Sequence, residues 1–149
     1  MKNLILFTIF SLVYFNIQGQ EKYDCLEWDY YKTECLSNIP DGSGSSKAGI
    51  KRTVCKISET NSTITVEAVI EPVNGGIDSR LKFYKGLKYH FRGDKDYTYL
   101  SKEEFNKGGA IKRIIELNKS ELKGPYLKAL ESWNKWTHML FVTVECVNN

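Results

Sequence analysis

The chain has 149 residues, of which 21 are basic and 18 acidic, and its formal charge is +3. A charge so near balance gives no footing for nucleic acid as a partner. The length suits one domain with a modest core.

The N-terminus reads as a secretory signal peptide over residues 1–19. Lys2 supplies the positive start, and Leu4 to Phe15 is an unbroken run of apolar and small uncharged residues. That run is shorter than the roughly 20 residues a bilayer-spanning helix needs. Asn16 and Gln18 end it, and small Gly19 suits the position before the cleaved bond. The expected mature chain, residues 20–149, is a secreted or periplasmic protein with no membrane span. It keeps 20 of the basic residues and all 18 acidic ones, a net charge of +2.

Four cysteines, Cys25, Cys35, Cys55 and Cys146, lie in the mature part. An even count in an exported chain implies two disulfides, with three possible pairings. Cys35–Cys55 together with Cys25–Cys146 is the preferred set. The first would close the flexible stretch between them, and the second would pin the N-terminal segment to the last strand. A zinc site is not expected, because no two cysteines have C-x-x-C spacing. Two sequons, Asn61-Ser62-Thr63 and Asn118-Lys119-Ser120, make the chain a candidate glycoprotein if its route of export is eukaryotic.

Residues 23–36 are aromatic-rich and leave helix and extended segment open, with Leu26, Tyr30 and Thr33 on one helical face. Ser37 to Gly49 is a loop by composition. Ile50 to Ile57 is expected to be a strand. Thr63 to Glu71 is the clearest one: Ile64, Val66, Ala68 and Ile70 share a face, and Thr65, Glu67 and Glu71 share the other. Pro72 and Asn74-Gly75-Gly76 should end it in a turn. In Leu81 to Arg92, apolar Leu87, Tyr89 and Phe91 alternate with basic Lys88, His90 and Arg92. Gly93 to Asp96 should turn the chain, and Tyr97 to Leu100 should return it.

Ser101 and Glu104 form a capping box for a short helix that Gly108-Gly109 ends. Ala110 to Leu117 suits helix or strand. Asn118 and Glu121 give another cap signal. Pro125 sits well at the first position of a helix running to about Trp136, with Tyr126, Leu130, Trp133 and Thr137 on its buried face. Met139 to Val147 is expected as the last strand. The fold class is therefore α+β: a single small disulfide-stabilised domain, mostly antiparallel sheet, with one main C-terminal helix.

No catalytic constellation stands out. The two histidines, His90 and His138, stand apart in sequence from any nucleophile motif. Asp94 and Asp96 are far short of the oxygen ligands a calcium loop needs. Neither a metal nor a cofactor is expected. The richest feature is a basic, aromatic hairpin carrying Lys85, Lys88, Tyr89, His90, Arg92, Gly93 and Asp94. Guanidinium contacts and aromatic packing equip such a surface for a protein partner or a polyanionic or glycan partner. A non-enzymatic binding or inhibitory module follows as the expected function. Two alternatives remain. Arg92-Gly93-Asp94 has the form of the integrin-ligand tripeptide and would make an adhesion ligand. A small exported hydrolase would use His90 or His138.

Overall fold

The computed structural model describes residues 24–29, 48–78, 84–134 and 136–148. The expected signal peptide, most of the Ser37–Gly49 loop and Cys35 lie outside them.

Strand β1 is Cys25–Asp29, β2 is Ala48–Glu59 and β3 is Thr63–Ile77. After β4 (Tyr84–Phe91) and β5 (Thr98–Ser101) come helix α1 (Lys102–Lys107) and strand β6 (Ile111–Asn118). A 3-10 turn, Lys119–Glu121, leads to α2 (Pro125–Glu131), α3 (Thr137–Phe141) and β7 (Val142–Asn148). Among the described residues all strand pairings are antiparallel. One sheet runs β1-β2-β3-β6 and the other β5-β4-β7. The mostly antiparallel character is as expected, and residues 25–29 and 111–118 resolve as strands.

The alternation in β3 organises the core. Ile64, Val66, Ala68 and Ile70 are all fully buried, while Thr65, Glu67 and Glu71 are not. Burying each Val or Ile contributes on the order of 1.5–3 kcal/mol. Ile50 and Val54 of β2 join them, as do Leu87 and Phe91 of β4 and Val142 and Val144 of β7. Both sheets thus line one core. Ion pairs lace the outer face of the larger sheet: Lys51 to Glu27 at 3.0 Å, and Lys112 to Glu67 at 4.0 Å.

The capping box forms as expected. Glu104 N donates to Ser101 Oγ at 3.2 Å, and Ser101 N donates to Glu104 Oε2 at 2.9 Å. The helix ends at Gly108 and seats Phe105 in the core.

Several expectations are corrected. The Asn74-Gly75-Gly76 turn does not end β3. Those three residues take positive φ within a bulge opposite Gly49, and pairing resumes at Ile77 with Ala48. Asn106 of α1 makes this possible. Its Oδ1 accepts from Ile77 N at 2.8 Å, and its Nδ2 donates to Ile77 O at 2.6 Å. One side-chain amide thereby does the work of a neighbouring strand.

The single C-terminal helix is in fact two. α2 starts on Pro125 as expected, but Trp133 takes φ 46°. Trp133 N donates to Leu130 O and Asn134 N to Ala129 O, both at 3.1 Å. This is a Schellman termination with Trp where Gly is usual. The ring holds the strained backbone in place: it packs on the core, with Lys56 Nζ 5.3 Å from its centroid. Tyr126 is exposed rather than buried. Met139 to Phe141 are helical, so the last strand starts at Val142. The helical turn buries His138 and Phe141 together, which alternation would have separated.

The preferred disulfide set is also overturned. β1 lies against β2 with Cys25 directly opposite Cys55, and these two are bonded. Cys146 is disulfide-bonded as well. Neither Cys35–Cys55 nor Cys25–Cys146 therefore forms. Among the described residues no helix is long and apolar enough to cross a membrane.

Candidate functional site

The smaller sheet carries the residues singled out by sequence. Alternation in β4 sends Leu87, Tyr89 and Phe91 inward and Lys88 and His90 outward. Tyr89 therefore supports the hairpin from inside, edge-on to Phe91 at 5.6 Å between centroids.

On the outer face Lys88 is opposite Tyr99 of β5 on one side and Glu145 of β7 on the other. Lys88 Nζ bonds Glu145 Oε2 at 2.8 Å and lies 4.9 Å from the Tyr97 ring centroid. Tyr97 OH donates to Glu145 Oε1 at 3.0 Å. The Lys88 hydrogen bond holds the Glu145 carboxyl below its ordinary pKa, and Glu145 in turn raises Lys88. Desolvation, then Glu145, pushes the Tyr97 phenol up. His90 packs against Tyr97, centroids 5.2 Å apart, and its Nε2 donates to the Asp94 carbonyl at 2.7 Å.

Tyr99 has a different setting. Its OH donates to Lys85 O at 3.1 Å, which brings the phenol across Gly86. A Cβ at Gly86 would collide with the Leu100 carbonyl and crowd this hydroxyl. Glycine here lets β5 and the tyrosine close onto β4. Tyr97 and Tyr99 remain 44% and 49% exposed.

The Arg92-Gly93-Asp94 triplet is tied down. Asp94 N donates to Phe91 O at 3.0 Å, with Gly93 at φ 94° in the turn position that requires it. Arg92 N donates to Phe141 O at 2.9 Å. The Asp94 carboxylate accepts from Phe91 N at 3.1 Å and from Arg113 Nη1 at 2.8 Å. Arg113 comes from β6 and also lies 5.2 Å from the Phe91 ring centroid. The Arg92 side chain reaches Glu121 only at 4.0 Å.

The second histidine is in the core. His138 is 4% exposed on the inner side of α3, and desolvation and then the positive Arg52 lower its pKa to about 4. Arg52, also buried, donates from Nη1 to Val142 O at 2.6 Å, joining β2 to the start of β7. Such an imidazole is neutral at physiological pH and enclosed. Among the described residues no group of three His, Cys, Asp or Glu side chains is placed to hold a metal ion.

Sequence reasoning brought Lys85, Lys88, His90 and Arg92 to one hairpin but missed Tyr97, Tyr99 and Glu145. The Tyr-x-Tyr spacing was an available signal, since residues two apart share a strand face. Nothing in the sequence pointed to Glu145 opposite Lys88, or to Arg113 on Asp94; both depend on strand order. Comparison with known proteins finds no match to a family model, a curated protein or a solved structure.

Proposed function

We propose that the protein is an exported, non-enzymatic binding or inhibitory module that contacts another macromolecule through the outer face of β4, β5 and β7. The supporting observation is the interlocked set Lys88, Glu145 and Tyr97, with Tyr99 held outward across Gly86. Side chains already fixed in place lose little entropy on binding, and exposed tyrosines beside a cation are the residue types that dominate contact energies. A protein surface or a polyanionic glycan suits this face.

The adhesion reading has less support, because the Asp94 carboxylate it needs is already engaged by Phe91 N and Arg113. The hydrolase reading has less support from His138, which is enclosed beside Arg52. The test is capture of the natural partner on immobilised protein, comparing wild type with Lys88→Glu and Tyr99→Ala. Each variant should weaken capture at least about tenfold, as expected of a contact-energy centre. Capture unchanged by both would refute this face as the contact site.

A further inference from the structure

Beside the hairpin, a cleft of about 520 Å³ opens between Arg92, the 3-10 turn, α2 and α3. Its volume lies in the range of sites that seat ligands or inserted side chains. Leu122, Tyr126, Met139 and Leu140 make its apolar part. Tyr126 of α2 is 55% exposed and Met139 of α3 is 48% exposed, whereas His138 and Phe141 of α3 are buried. Tyrosine and methionine are enriched where surfaces meet partners, and methionine adapts its shape to what it receives.

The rim is charged. Lys123 forms no ion pair or hydrogen bond among the described residues. Arg92 is only loosely held by Glu121, at 4.0 Å. A free ammonium and a loosely paired guanidinium therefore stand over an apolar floor, against one carboxylate. A sulfated glycan would use the cations but would leave the apolar floor without a partner.

We propose that this cleft seats an acidic peptide segment of the partner. An apolar side chain would enter between Tyr126 and Met139, and flanking carboxylates would engage Lys123 and Arg92, displacing Glu121 from the guanidinium. This deepens the reading of the chain as a contact module and rests on it.

The test uses ¹⁵N-labelled protein titrated with a capped octapeptide, Gly-Glu-Asp-Leu-Phe-Asp-Glu-Gly. Two control peptides replace its acids by Lys, or its Leu-Phe by Ser-Ser. Saturable shifts of the Leu122, Lys123, Met139 and Leu140 amides are expected with the first peptide, and at least tenfold weaker binding with either control. These controls alter the probe, so they do not depend on a variant folding. Arg92→Gln with Lys123→Gln should weaken the first peptide at least tenfold, while Lys112→Gln on the other sheet should not change it. Three results would each overturn the proposal: no cleft shifts at millimolar peptide, equal binding of the Lys peptide, or equal binding of the Ser-Ser peptide. Shifts confined to Lys88 and Tyr99 would also overturn the cleft but leave the hairpin reading intact. Failure of that reading is measured separately, by capture with Lys88→Glu.

Discussion

His138 should make the protein lose stability under mild acid, before its carboxylates titrate. The imidazole has an ordinary pKa of 6.5 when the chain is unfolded and about 4 in the folded core. Between those values the unfolded chain binds the proton and the folded one does not, so unfolding is favoured as pH falls. The contribution is absent above pH 6.5 and complete below pH 4. Worked through from these two values, folding loses about 2 kcal/mol between pH 7.5 and pH 5, and about 3 kcal/mol by pH 4. Glu59 and Glu145 have lowered pKa values, so their stabilisation is lost only as pH falls below about 4.5. The window from pH 7.5 to 5 therefore isolates the histidine. Urea unfolding followed by tryptophan fluorescence would show the midpoint falling by roughly 1 M across it. His138→Gln removes the titration and should flatten that dependence, whatever its effect on stability at pH 7.5. A variant that loses as much as wild type between pH 7.5 and 5 would refute the reasoning.

Other outcomes follow from the packing. Trp133→Gly should be about 1 kcal/mol more stable than Trp133→Ala by urea unfolding, because φ 46° favours glycine; both should be several kcal/mol below wild type through the lost ring. The opposite order of the two would contradict the left-handed cap. Replacing both Cys25 and Cys55 by Ser opens a bridge across 30 residues and should cost roughly 3–4 kcal/mol under non-reducing conditions. A midpoint unchanged by this double variant would show that β1 adds nothing to the fold. Asn106→Leu leaves both Ile77 backbone groups without their amide partner and should cost about 2–4 kcal/mol, with faster hydrogen exchange at the Ile77 amide.

Local signals carried well into the structure. The alternation of Ile64, Val66, Ala68 and Ile70 sets a buried face whatever the partners, and the Ser101–Glu104 box closes within four residues. Pro125 starts a helix because its missing N–H has no partner to lose there. The failures share one cause, which is dependence on distant contacts. Asn74-Gly75-Gly76 reads as a turn until Asn106, far along the chain, offers Ile77 a substitute strand. Trp133 carries no glycine to announce a helix end; its left-handed backbone is held only because the ring packs on the core under Lys56. Cysteine pairing required the β1–β2 register, and loop composition was no guide to it. At the candidate site Lys88 and Asp94 were legible, but their partners Glu145 and Arg113 arrive from β7 and β6.

The position of β7 in the smaller sheet has a consequence for the order in which the fold assembles. Glu145, which fixes Lys88 and Tyr97, belongs to β7, and β4 meets it across more than fifty intervening residues. Such a contact forms only after a long loop has closed. Until then β4 and β5 can pair, but Lys88 and Tyr97 lack the carboxylate that fixes them. A chain in which β7 has not yet docked would present the same residues without the ion pair that orders them. Docking of β7 is thus the step that orders the outer face of the smaller sheet, and it depends on segments far apart in the chain.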